Sequence, residues 1–356
     1  MNFLSKLASS VNPYTAGEQL NDKQYVKLNT NENPYPPAPA VFRALETFDA
    51  SQLKLYPAPN ADALRKDIAA AEKVETENVF CGNGSDEVLA LCFPAFFDKD
   101  GKGACFADIT YSFYPVFCDF FSVPQKIVPL TEDYRFDLSA FSGTECQGYL
   151  ITNPNAPTGV GIPKEEILSF VKANSEKIII VDEAYMAFFG ESVAEYVREY
   201  KNLLVIKTFS KSYSLAGIRC GYAIGDAALI DGLFRVKDCF NSYPLDRVCQ
   251  AVASAAVNSG EYYAECTKKV ILERARVTQA LRAYGFFVPE SSANFVFAGY
   301  KKTGGGYIYE QLKKRGVLVR YWNKPALKDF CRITIGTKEQ NDRLLQAIEE
   351  ILKTTE

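Results

Sequence analysis

The feature that most limits the fold of this chain is a series of short apolar runs in which polar residues do not alternate. They are "NVFCG" (78–82), "GACFAD" (103–108), "QKIVPL" (125–130), "GYLIT" (148–152), "KIIIVDEAY" (177–185), "NLLVIKT" (202–208) and "RCGYAIG" (219–225). A sheet with one wet face would alternate with period two; unbroken runs of this length fit strands covered on both faces. Helical patterns such as "SDEVLALCFPAFF" and "PKEEILSFVKANS" lie between them. This alternation predicts an α/β fold with a mostly parallel, doubly wound sheet.

The texture changes near residue 245. A long helical stretch, "EYYAECTKKVILERARVTQALRAY", carries Val270, Val277, Leu281 and Tyr284 on one face. Short strands "NFVFA", "GVLVRYW" and "CRITIG" follow, then a terminal helix "KEQNDRLLQAIEEILK". The first thirty-odd residues read as irregular and end in the proline-rich "NTNENPYPPAPA". The expected organisation is an arm at 1–30 that joins a smaller α+β domain at 246–356, with a large α/β domain at 31–245 between them.

The 356 residues contain no histidine. That excludes Ser-His-Asp and Cys-His catalysis within the chain and any His-ligated zinc, so no metal is expected. Proton transfers would fall to Lys, Tyr, Asp, Glu, Cys or a cofactor. A formal charge of -3 gives no electrostatic reason to expect nucleic acid or an anionic membrane as partner. No apolar run approaches the length of a spanning helix, and the N-terminus lacks the apolar core of a signal peptide. Ten cysteines without a C-x-x-C pair, set in apolar contexts, read as free thiols in a reducing compartment. The expected location is the cytoplasm.

Four constellations could carry chemistry. In "CGNGSDEVLAL", glycines and a serine follow a strand and open a helix, where backbone N–H groups can bind an anion or simply form a capped terminus. "ITNPNAPTGVGIP" is a strand-end loop, either a ligand-facing edge or a plain turn. Asp182 ends the β-branched run of "KIIIVDEAY", with Tyr185 three residues on; a carboxylate there needs a cationic partner or caps the next segment. Lys211 follows "LLVIKTFS", and a desolvated lysine is a nucleophile towards carbonyls and a proton carrier. Thr208, Ser210 and Arg219 beside it are candidate phosphate ligands. Together the four would give a phosphorylated aldehyde cofactor a phosphate cup, an anion for its pyridine nitrogen and an amine for its aldehyde.

From "NTNENPYPP" through "LYPAPN", "GNGSDE", "NPNAPTG", "VDEAY" and "TFSKSYSLAGIRCGY" to "CRITIGT", the chain resembles the fold-type I, pyridoxal-phosphate-dependent aminotransferases. Within them it is most similar to the histidinol-phosphate aminotransferase family. The resemblance implies pyridoxal 5'-phosphate as cofactor, with Lys211 forming the internal aldimine and then moving the proton between substrate Cα and cofactor. It implies Asp182 against the pyridine nitrogen, Tyr185 on the ring's phenolic oxygen and Tyr111 stacked on the ring face. Gly84, Ser85, Asp86, Thr208, Ser210 and Arg219 would hold the phosphate, with Tyr56 reaching it from the other subunit of a homodimer. Arg332 and Arg320, helped by Tyr14 and Asn33, would grip the anionic groups of the substrates. Where the family commonly carries N-N-P-T-G, this chain has Ala156. Either Asn155 reaches the ring oxygen by a shifted loop, or Tyr185 holds it alone.

The implied reaction is a ping-pong transfer from histidinol phosphate to 2-oxoglutarate in histidine biosynthesis. An aromatic amino-acid aminotransferase or a threonine-phosphate decarboxylase could carry the same cofactor motifs. A non-catalytic binding or regulatory relative stands as the alternative of another class. A nicotinamide oxidoreductase fits less well, for want of G-x-G-x-x-G.

Overall fold

The computed structural model describes residues 3–15, 17–20 and 25–354; the rest of the expected 1–30 arm and the last two residues lie outside the described residues. The first strand, β1 (Val26–Leu28), belongs to a smaller sheet. The next seven build the larger one: β2 (Val79–Gly82), β3 (Ala104–Ala107), β4 (Gln125–Val128), β5 (Gly148–Thr152), β6 (Ile178–Asp182), β7 (Leu203–Thr208) and β8 (Gly221–Gly225). Their order is β2-β8-β7-β6-β5-β3-β4. The pairs from β4 to β7 are parallel, whereas β8 runs antiparallel to both its neighbours, β7 and β2.

Non-alternating strands have the expected consequence. Ile179 and Val181 of β6 feed one apolar core while Ile180, pointing the other way, feeds a second. Each such side chain contributes roughly 1.5–3 kcal/mol by leaving water, which a strand with one wet face would gain only at every other position. The helix Gly84–Phe96 packs over β7 and β8 on one side. The helix Arg247–Val257 packs on the helices Pro39–Glu46 and Asp62–Glu72, and its Cys249, Val252 and Ala253 lie in the first core.

The smaller sheet has the order β1-β10-β11-β9, with β9 (Phe295–Gly299), β10 (Val317–Tyr321) and β11 (Phe330–Thr334). The long helix Gly260–Ala283 buries Val270, Val277 and Leu281, and Tyr284 is partly buried at its end. It packs with the C-terminal helix Lys338–Lys353. One reading of the N-terminal region is corrected: Val26–Leu28 is a strand, parallel to β10 with Val26 opposite Val317. Three residues carry no measurable periodicity, so only the tertiary partner reveals the strand. Among the described residues no helix is long and apolar enough to cross a membrane.

The C-terminal ends of β2, β5, β6 and β7 share one edge of the larger sheet. The inner face of the smaller sheet closes over that edge, with Phe295 edge-on to Tyr185 at 5.0 Å between ring centroids.

Candidate active site

A cavity of about 270 Å³ lies at this edge, and each strand end supplies a different group to its wall. Thr152 ends β5, Asp182 ends β6 and Thr208 ends β7; Ser210 and Lys211 follow in the next turn. Lys211 is half-buried. Its Nζ donates to the Thr30 carbonyl at 3.2 Å and lies 5.6 Å from the centre of the Tyr185 ring, so neither partner is a carboxylate.

Asp182 is buried and its contacts are neutral. Oδ1 accepts from the Ala184 N–H at 3.1 Å and Oδ2 from the Tyr114 hydroxyl at 3.3 Å. Burial pushes its carboxyl up to about 6, because nothing cationic offsets the lost hydration. Tyr114, in turn, meets the Thr152 hydroxyl at 2.7 Å, and Thr152 meets Thr110 at 3.1 Å. Oriented one way, this run of hydroxyls delivers a donated hydrogen bond onto Asp182.

On the β8 side the chain is shaped for close approach. Gly84 has φ +80°, and a Cβ there would sit 2.7 Å from Arg219 Nη2. A Cβ on Gly221 would lie 2.3 Å from the Ser85 nitrogen. Both positions therefore require glycine for the helix start to meet β8. The Thr208 hydroxyl accepts from the Ser210 N–H at 3.1 Å, and Arg219 Nη1 reaches the Ser210 hydroxyl at 3.4 Å. Asp86 behaves differently from the other expected phosphate ligands. Its carboxylate accepts from Tyr111 at 2.5 Å and from Arg219 Nη2 at 3.0 Å. An anion cannot donate to a phosphate, so this side chain orients Tyr111 and Arg219 instead. Burial and the Asp86 charge push the Tyr111 phenol well up.

The smaller sheet supplies the opposite wall. Arg320 and Arg332 face each other across β10 and β11. Arg332 Nη2 donates to the Asn29 carbonyl at 3.2 Å, while its buried Nε has no hydrogen-bond partner among the described residues. Arg320 Nη2 donates to the Thr15 carbonyl at 2.8 Å. Tyr14 lines the same wall and stacks on Phe113 with centroids 4.4 Å apart.

Three expected residues lie away from this cavity. Asn33 donates to the Ser212 carbonyl at 3.1 Å and accepts from the Tyr35 N–H at 3.1 Å, which ties the N-terminal segment to the lysine turn. The neighbouring asparagine that lines the cavity is Asn31, whose Nδ2 donates to the Tyr185 hydroxyl at 3.0 Å. Asn155 is fully buried. Its amide donates to the Ile109 carbonyl and to Thr158, and its oxygen accepts from Thr110, so it has no group left for the cavity. Ala156 lines the wall in its place. Tyr56 is 77% exposed and stacks on Tyr243 at 4.7 Å, out on the surface.

Tyr114, Thr152, Asn31 and Trp322 were not indicated by the sequence. Asn31 and Thr152 lie inside the motifs "NTNENPYPP" and "ITNPNAPTGVGIP", Trp322 ends the strand "GVLVRYW", and Tyr114 follows Tyr111 by three residues, so a signal was near each of them.

The residues present fit a phosphorylated pyridine aldehyde. There is a buried carboxylate without a cation, a glycine-made cradle beside an arginine, and an amine between them. The opposite wall offers an arginine with an orphaned N–H.

The family model described as aminotransferase class I and II matches residues 23–348. A histidinol-phosphate aminotransferase 1 of Hydrogenovibrio crunogenus is 46% identical, over 99% of this chain and 98% of that protein. The histidinol-phosphate aminotransferase of Chromohalobacter salexigens is likewise 46% identical, over 99% of each chain. Among solved structures, the histidinol-phosphate aminotransferase of Sinorhizobium meliloti in complex with pyridoxal-5'-phosphate superposes with a TM-score of 0.88. It is 23% identical and covers 100% of this chain and 99% of that one, a likeness of fold. With its whole length matched in this way, the chain belongs to the aminotransferase class I and II family.

Proposed function

We propose that this protein is a pyridoxal-phosphate-dependent aminotransferase that moves the amino group of histidinol phosphate to 2-oxoglutarate. The products are imidazole-acetol phosphate and glutamate, a step of histidine biosynthesis. The observation that carries the reading is the single cavity in which Asp182, Lys211, the Gly84–Arg219 cradle and Arg332 meet. The names of the relatives at 46% identity supply the substrate.

The bound cofactor would supply an aldehyde that captures amines and a ring that accepts the electron pair left when Cα loses its proton. The chain's own residues would do the rest. Asp182 would sit against the ring nitrogen, whose positive charge is the partner this carboxylate lacks. Ser85, Thr208, Ser210 and Arg219 would hold the phosphate, with Gly84 leaving room for it. Tyr111 would lie on the ring face. Tyr185, held by Asn31, would donate to the ring oxygen, with Ala156 contributing no hydrogen bond there. Lys211 would take the proton from substrate Cα and return it in the other half-reaction, a task often given to histidine and here left to an amine. Arg332 and Arg320 would hold the substrate's phosphate, and Arg332 the carboxylate of the oxo acid.

A cytoplasmic homodimer completes the reading. Tyr56 stacks on Tyr243, both exposed, and follows the exposed Leu53 and Leu55 in the chain, a surface suited to a second copy that would bring Tyr56 to the partner's cradle. All ten cysteines are free, as a reducing compartment would leave them.

The test is a side-by-side assay of histidinol phosphate, phenylalanine and threonine phosphate, with Lys211→Ala as control. Histidinol phosphate should give the highest kcat/KM, and the lysine variant should lose about 10⁴-fold or more in turnover. Preference for phenylalanine, or loss of carbon dioxide from threonine phosphate, would overturn the substrate. A Lys211→Ala protein with ordinary rates would overturn the mechanism.

A further inference from the structure

The chain contains one tryptophan. Trp322 follows β10 directly, and its indole lies 5.2 Å from the guanidinium carbon of Arg320 and 5.2 Å from that of Arg332. The two arginines are direct cross-strand partners, an arrangement that like charges disfavour. An indole shared by both gives each guanidinium a π face at the distance where cation–π attraction operates. Each also donates to a carbonyl of the N-terminal segment, Arg320 to Thr15 and Arg332 to Asn29. Arg332 keeps a buried Nε without a partner among the described residues. Phe295 lies under Arg332 alone, 5.3 Å from its guanidinium carbon, whereas Trp322 is the ring that both cations share before any substrate arrives.

We infer that Trp322 is a positioning residue that keeps Arg320 and Arg332 together on one anion, so that the site selects a phosphate over a carboxylate. This rests on the reading of the two arginines as the substrate's anion site. A tetrahedral dianion has enough oxygens for both guanidiniums at once, whereas a planar carboxylate is satisfied by one fork. Removing the shared face lets the arginines separate, which costs the ligand that needs both and spares the ligand that needs one.

The experiment uses the holoenzyme, whose own cofactor fills the phosphate cradle. Trp322→Leu should raise KM for histidinol phosphate by about 10-fold, with KM for glutamate and both kcat values changed less than about twofold. Trp322→Phe, which restores a ring, should recover most of the loss. An equal rise for both substrates, or no rise for either, would overturn the assignment. A second measurement does not depend on the substrate being correctly named or on the leucine variant folding. Because Trp322 is the only indole, fluorescence of the unmodified holoenzyme excited where the indole absorbs and the 21 tyrosines do not reports this wall. Inorganic phosphate should change its emission at a concentration about 10-fold or more below that needed for acetate. Equal concentrations for the two ions would overturn the selectivity even if histidinol phosphate proves to be the wrong donor. Failure to turn over histidinol phosphate, with phosphate selectivity intact, would instead count against the proposed reaction alone.

Discussion

Asp182 and Glu183 are adjacent at the end of β6, and both are buried, yet they keep different company. Glu183 points into a cluster that closes on itself. It accepts from the Val193 N–H at 2.9 Å and from Ser192, and lies 3.6 Å from the Lys207 ammonium. Lys207 is also bound by Glu72 at 2.7 Å, and Glu72 accepts from Tyr222 at 2.8 Å. Among the described residues, Asp182 has only the Ala184 N–H and the Tyr114 hydroxyl. Facing it across the cavity, Arg332 meets a backbone carbonyl and the ring faces of Trp322 and Phe295, with no carboxylate partner among the described residues. A buried charge is costly unless it is paired, so structural charges are expected to meet their opposites inside the protein. Asp182 and Arg332 do not, and their charges are left for molecules that are not part of the chain. The difference separates scaffold from site more sharply than burial does.

The largest way to break this contrast is Asp182→Asn. Activity should fall about 10³-fold, while the protein without cofactor should gain stability near pH 8. The sign follows from the raised carboxyl. With a folded value of about 6 against an ordinary 3.8, the folded state binds this proton more tightly than the unfolded chain. Its contribution is therefore most favourable below the ordinary value and is lost as pH rises through the folded one. The amide has no such loss, so the variant should be more stable by roughly 2–3 kcal/mol above pH 6, with the gap closing towards pH 4. Thermal melts of both cofactor-free proteins across this range would check it. A variant less stable at pH 8 would mean that Asp182 is already compensated.

Lys207→Met addresses the closed cluster. It strands the buried Glu183 and the half-buried Glu72 and should cost about 3 kcal/mol of stability, read by denaturant unfolding of the holoenzyme. Turnover of the folded fraction should change far less than in Asp182→Asn. If activity fell as much as stability, the cluster would have to be counted with the site.

How much of this was legible beforehand depends on whether the relevant partner is near in sequence. Asp182, Thr208, Ser210 and Lys211 stand at or just beyond strand ends, and an α/β fold sends those ends to one edge, so their neighbourhood followed from the pattern of apolar runs. The small residues around Gly84 carried their own signal for close approach. Asn31 and Asn33 illustrate the limit. Both lie in one irregular segment, and only the packing of β1 beside β10 decides that the first meets Tyr185 and the second a loop carbonyl. Asn155 was a reasonable substitute for an asparagine lost at 156, but the loop uses all of its hydrogen-bonding groups internally. Trp322 needed the cross-strand register, since ten residues separate it from Arg332.

Tyr114 gives the finest test of the contrast, because among the described residues its hydroxyl is the only side-chain donor on Asp182 and it reaches across 68 positions in sequence. Tyr114→Phe keeps the buried ring and removes one hydrogen bond from Oδ2 and one from Thr152. The Asp182 anion then loses part of its solvation, so the carboxyl should rise further, and the cationic ring nitrogen should be held less well by a carboxylate more easily protonated. A change of about 1 kcal/mol corresponds to about a fivefold increase in the cofactor's dissociation constant, growing as pH falls below 7. Equilibrium dialysis of the cofactor at pH 6 and pH 8 measures both values. A fivefold loss that is the same at both pH values would place the role of Tyr114 in packing. A loss confined to the lower pH would show that the hydroxyl run keeps Asp182 ionised, which the closed cluster around Glu183 achieves with a lysine.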